Sequence, residues 1–290
     1  MLKKRLVACL VVKDGLIVQS LGFKDYLPIG RPRFPIEFVA KWDVDEIVIL
    51  DISATSEGRG PDNSLLEMLS RSCFVPLTVG GGIRSVEDAR QAIRAGADKV
   101  CINAQALARP ELISEIADVL GSQCVVVSMD CRLDIDGSHQ VYSHSGKIAT
   151  GLYSIQWARK VEELGAGEVF LNSIDRDGSK KGYDIELIRG VTSAVSIPVI
   201  ACGGVGNYYH FAQGIIEGGA SAVAAANIFH FIEHSTILAK AHLLHAGVDV
   251  RLVSRARYED REFDENGRLM MMSSDKLTQI EFQRGTKGIL

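Results

Sequence analysis

Val79-Gly80-Gly81-Gly82-Ile83-Arg84 leads, some fourteen residues on, to Gly96-Ala97-Asp98-Lys99-Val100. The second half of the chain repeats the pattern: Ala201-Cys202-Gly203-Gly204-Val205-Gly206 leads to Gly219-Ala220-Ser221-Ala222-Val223. Each block reads as an apolar strand, a glycine turn, a helix, a Gly-Ala step and another strand. Gly82 and Gly204 lie 122 positions apart. A unit of this kind occurring twice predicts two related halves of one parallel α/β structure.

The same alternation continues outward from both blocks. Short apolar runs fall at Leu6–Val12, Glu46–Ile52, Pro76–Val79, Lys99–Ile102, Cys124–Met129, Glu168–Leu171, Pro198–Ala201 and Ala222–Ala226. Amphipathic stretches such as Ser85–Ala95, Pro110–Leu120 and Ser154–Leu164 separate them. Near-continuous apolar strands alternating with helices indicate a parallel sheet covered on both faces. Eight such strands predict a closed (βα)8 barrel, the TIM barrel of the α/β class, spanning residues 1–252. Cys9-Leu10-Val11 matches Ser128-Met129-Asp130 as the corresponding first strands of the two halves. Residues 253–290 are charged and balanced in sign. They are expected to form a C-terminal extension, with a hairpin turn at Asn266-Gly267.

The charge balance narrows the function classes. The 290 residues carry a net charge of -4, and the sequence pI is near 6.0, which gives no general attraction to nucleic acid or anionic membrane. No apolar run reaches the ~20 residues of a spanning helix. The apolar stretch at the start stops at Lys13-Asp14, too early for a signal peptide. None of the six cysteines forms a C-x-x-C pair, and four lie in strand-like runs. They read as reduced core residues of a cytoplasmic protein.

Barrel active sites form at the C-terminal ends of the strands. Gly81-Gly82 and Asn103 fall there in the first half; Asp177-Gly178, Gly203-Gly204 and Ala226-Asn227 fall there in the second. Glycine turns let backbone N–H groups approach an anion, so these residues are candidates for two phosphate sites related by the repeat. Each doublet alone also fits a tight turn. Asp130, at the end of an apolar strand, is the candidate general acid or base. Asp51 reads as structural. At the opposite strand ends, Arg5, Glu46, Lys99 and Glu168 supply two cations and two anions that a barrel would bring together. On pattern alone they fit ordinary salt bridges.

Several segments then resemble one family. Asp51-Ile52-Ser53-Ala54, Val79–Arg84, Gly96–Val100, Gly121-Ser122-Gln123, Ser173-Ile174-Asp175-Arg176-Asp177-Gly178, Gly182-Tyr183-Asp184 and Phe229-His230-Phe231 are similar to the cyclase subunit of imidazole glycerol phosphate synthase. The glycine motifs alone would also fit the sister isomerase of histidine biosynthesis. The resemblance covers roughly residues 1–252. It implies that a glutaminase subunit docks on the N-terminal barrel face, and that ammonia passes through the barrel to a bis-phosphorylated substrate at the top. It turns Arg5, Glu46, Lys99 and Glu168 into an ammonia gate and places Asp98 at the glutaminase interface. It implies no cofactor and no metal.

Departures from the family pattern concentrate at the chemical end. The family carries two catalytic aspartates; Asp130 is present, but Val11 stands at the strand-one position, and valine transfers no proton. Gln19, Ala104, Asn172 and Asn227 replace a lysine, two threonines and a serine. The resemblance therefore implies a paralogue that passes ammonia to a different acceptor. Its expected further partner is an ATP-dependent N-sugar amidotransferase in surface polysaccharide biosynthesis, with the extension as added surface. The alternative is a true cyclase (a lyase) in histidine biosynthesis.

Overall fold

A computed structural model describes residues 3–32, 35–36, 39–40, 42–230, 235–253, 258, 262–264 and 270. Its strands are β1 (Arg5–Lys13), β2 (Leu16–Leu21), β3 (Asp25–Gly30), β4 (Glu46–Asp51), β5 (Leu77–Gly80) and β6 (Lys99–Ile102). They continue with β7 (Val125–Leu133), β8 (His139–Ser143), β9 (Ile148–Tyr153), β10 (Glu168–Ser173), β11 (Val199–Cys202) and β12 (Ala222–Ala225). Eight of them run parallel in the order β10-β11-β12-β1-β4-β5-β6-β7, and β10 pairs with β7 to close the ring. This is the (βα)8 barrel expected from the alternation. The predicted helices are found at Val86–Arg94, Glu111–Leu120 and Ser154–Glu163.

The two halves match in local detail. Asp62 and Asp184 each cap a helix by accepting from the N–H three residues on, Leu65 and Leu187. Gly82 and Gly204 both have positive φ, and a Cβ on either would collide with the carbonyl of a neighbouring loop, Arg59 or Gly182. The glycine doublets are therefore required by close packing between adjacent βα loops, whatever else they bind.

Two antiparallel hairpins were not expected. β1 runs on into β2–β3, and β7 into β8–β9. Asp14-Gly15 makes the first turn, both residues at positive φ. Val11 pairs with Val18 where β1 meets its hairpin, and Asp130 pairs with Tyr142 where β7 meets its own. The matched positions thus stand at the same place in the two halves.

Inside the barrel, Val7, Val48, Val126, Phe170, Ile200, Ala222 and Ala224 pack with Cys9, Cys101 and Cys202. The outer core lies between strands and helices. Beneath it, the fully buried Lys240 ammonium reaches Asp45 Oδ1 at 2.8 Å and the Arg251 carbonyl at 2.6 Å, tying the end of the barrel to the start of β4. The Phe263 ring packs against His242 at a tilt, and the Tyr209 hydroxyl donates to the Asp264 carbonyl. The Asn266-Gly267 turn lies outside the described residues, although the Met270 N–H donates to the Glu262 carbonyl at 2.9 Å. No helix among the described residues is long and apolar enough to cross a membrane.

Candidate functional site

The four charges predicted for the barrel floor meet there. Arg5 Nη1 lies 2.8 Å from Glu46 Oε2 and 3.0 Å from Glu168 Oε1. Lys99 Nζ lies 3.1 Å from Glu46 Oε1 and 3.2 Å from Glu168 Oε2. Cation and anion alternate around a closed ring. Glu46 is only 1% exposed and also accepts the Thr78 hydroxyl at 2.7 Å. A carboxylate so far from water is tolerated because each side has a partner. Thr78 was missed in the sequence, where it reads as one more strand residue. Asp98 stands exposed on the same face, its carboxylate accepting the Leu77 N–H at 2.8 Å.

At the other end of the barrel a cavity of about 370 Å³ opens over the interior thiols. Asp130 sits in its wall, 9% exposed. Asn103 Nδ2 donates to Asp130 Oδ2 at 2.7 Å, and Asn172 is hydrogen-bonded to the same carboxyl. Burial pushes the Asp130 pKa up to about 7; the asparagine bonds oppose the shift, and the Asp177 charge adds to it. A carboxyl of that pKa exchanges protons at neutral pH, as an acid–base group requires. Val11 also lines the cavity, so no second carboxylate stands opposite Asp130 at the matched position. Below them Cys9, Cys101 and Cys202 are free thiols. Burial raises Cys101, and the hydrogen bond with Cys9 together with burial raises Cys202, so both stay protonated.

Asp51 fits its structural reading. Its carboxylate takes the Ser53 N–H at 3.0 Å and pairs with Arg59 at 2.8 Å. The predicted phosphate residues divide between the two halves. Gly82, Asn103 and Ala104 of the first half line the cavity, together with Gly81, Ile83 and Gln105. Of the second half, Asp177 and Ala226 line it, whereas Gly178, Gly204 and Asn227 do not. The β2–β3 hairpin lies over that side. Ser20, Tyr26 and Phe23 from it, and His144 and Ser145 from the β8–β9 turn, complete the cavity wall. None of these five was picked out in the sequence. The Asp-Gly pairs at 14–15 and 136–137, each between apolar runs, are the signal that marks both hairpins.

This geometry agrees with comparisons to known proteins. The model of the histidine biosynthesis protein family matches residues 5–235. The chain belongs to that family, as a HisF-type member. It is 49% identical over 268 residues to a Vibrio vulnificus (strain YJ016) protein named "Putative imidazole glycerol phosphate synthase subunit hisF2". That match covers 92% of this chain and 98% of the relative. It is 50% identical over 256 residues to "Imidazole glycerol phosphate synthase subunit HisF" of Hyphomonas neptunium (strain ATCC 15444), covering 87% of this chain and all of the relative.

Proposed function

We propose that this HisF-type chain is the ammonia-conducting subunit of a glutamine amidotransferase complex. A glutaminase docks on the face that carries Asp98 and the floor ring, and ammonia enters between Arg5, Glu46, Lys99 and Glu168. The observation that carries this reading is the closed ring at one end of the barrel, opposite an acid–base-competent Asp130 at the other. The wall between them is apolar side chains and protonated thiols, which bind neutral ammonia weakly and admit no ion. At the top, the Gly81–Gly82 turn and Asn103 cradle an anionic group of the ligand.

The acceptor follows from Val11. With no carboxylate opposite Asp130, the two-aspartate cyclase reaction lacks one of its proton-transfer groups, an omission worth on the order of 10²–10⁴ in rate. The reading favoured by Val11 is therefore delivery of ammonia to a separate ATP-dependent synthetase that amidates a surface sugar, with the C-terminal extension as its docking surface. The second reading, a cyclase in histidine biosynthesis, draws on the retained Asp130–Asn103 pair and on the names of the two relatives. Complementation of a histidine auxotroph lacking its cyclase separates them. No growth is expected; growth at wild-type rate would overturn the first reading in favour of the second.

A further inference from the structure

Between the floor ring and the cavity the barrel interior is closed. Val7, Val48, Val126, Phe170, Ile200 and Ala224 pack together there, and each is 0% exposed. No gap as wide as a water molecule touches any of them, and ammonia is about as large as water. None of them lines the cavity, whose floor is made by Cys9, Cys101, Cys202 and Ser128. A molecule released at the ring can therefore reach Asp130 only after one of these packed side chains moves. Strand β10 sets out the order. Its inward positions, two residues apart, are Glu168 in the ring, Phe170 in the packed interior and Asn172 on the Asp130 carboxyl.

We propose that Phe170 is the moving plug of this conduit: its ring closes the barrel at rest and turns towards the cavity to let ammonia pass. Three physical points support this. Val7, Val48, Val126 and Ile200 are β-branched and stiff at χ1 on a strand, and Ala224 has no side-chain rotamer to change. Phe170 is the largest of the group and can turn about two side-chain bonds. Room for that turn exists on one side. Ser128 is the partner of Phe170 on the neighbouring strand β7, and Ser128 and Cys101 are small residues at the floor of the 370 Å³ cavity. The closed interior also selects what passes. Neutral ammonia crosses a brief apolar gap, whereas an ammonium ion would lose its hydration with no carboxylate to replace it. The inference rests on the ammonia-conducting reading and adds to it the side chain that opens the path.

The test uses the full chain in complex with its glutaminase and acceptor enzyme. Phe170→Trp sets a larger ring among the same neighbours, with no room to turn. Product from glutamine should fall about tenfold or more, while product from added ammonium salt and glutamine hydrolysis stay within about twofold of the unmodified complex. Phe170→Leu is smaller and not β-branched, and should keep product from both nitrogen sources within about twofold. Should Phe170→Trp fail to fold, aromatic ¹³C relaxation-dispersion NMR on the unmodified chain decides the matter, with the Phe170 signal assigned by its loss in Phe170→Leu. Exchange between two ring rotamers, faster than turnover, is expected; a single rotamer without exchange would overturn the plug. Undiminished glutamine-dependent product in Phe170→Trp, beside a Lys99→Ala complex that does lose it, would overturn the plug and leave the conduit standing. No product from glutamine in the unmodified complex would overturn the ammonia reading itself, and the plug with it.

Discussion

Replacing Asp130 by asparagine isolates the cost of keeping an acid in the barrel mouth. The folded-state pKa is about 7, against an ordinary value of 3.8, and burial is the main cause. Between these two values the folded chain holds a proton that the unfolded chain has released. Stability therefore falls as pH rises, by about 1.4 kcal/mol per pH unit across that window. Over roughly three units the cost approaches ~4 kcal/mol, fully present above pH 7 and absent below pH 3.8. Asparagine carries no charge and keeps the shape. Its amide oxygen can accept from Asn103 as Asp130 Oδ2 does. Asn172 Oδ1 has no partner, so rotation of that amide supplies an acceptor for the new NH2. Urea unfolding of both proteins at pH 4.5 and 8.5 measures the effect. The stability of Asp130→Asn relative to the unmodified chain should rise by about 3 kcal/mol between the two pH values. A difference that does not change with pH would refute the argument, since it would mean that Asp130 titrates like a solvated carboxyl.

Two further outcomes follow from the same geometry. Val11→Asp should give measurable turnover of the bis-phosphorylated ribulosyl substrate with ammonium salt, but only partial activity, because Gln19, Ala104 and Asn227 also depart from the family pattern; a product assay showing none would mean that binding, not proton transfer, is the limiting loss. Gly204→Ala places a Cβ against the Gly182 carbonyl at positive φ and should cost about 2–3 kcal/mol in denaturant unfolding, while a change within ~0.5 kcal/mol would show that the loop gives way freely.

The barrel was legible because a strand covered on both faces must be apolar along its whole length. Runs such as Lys99–Ile102 therefore announced themselves with correct limits. The floor ring was legible for the converse reason, since charges at the edges of such runs stand out. The hairpins were not, because their strands are half exposed and carry mixed residues; β3 includes an exposed Leu27 and a proline. Their Asp-Gly turns were the available signal. Asp177 shows the deeper difficulty. Its glycine neighbour suggested a phosphate loop, yet its carboxylate is taken by Ser20, 157 positions earlier. No local pattern encodes a contact at that separation. The grouping of Asn103 and Asn172 around Asp130 has the same origin, in the ends of three neighbouring strands that parallel pairing sets side by side.

The central claim is that the floor ring admits ammonia, and Lys99→Ala tests it most directly. Removing Lys99 leaves Glu46 with Arg5 and Thr78, and Glu168 with Arg5 alone. The opened ring hydrates, at a stability cost of about 3 kcal/mol, the low end for a broken buried pair. In the reconstituted complex with its glutaminase and acceptor enzyme, product formed from glutamine and product formed from added ammonium salt should be measured side by side, with glutamine hydrolysis followed separately. Glutamine-dependent product should fall at least tenfold while ammonium-dependent product and glutamine hydrolysis persist. Equal loss with both nitrogen sources would contradict the account, because the ring would then hold the barrel together without conducting anything through it.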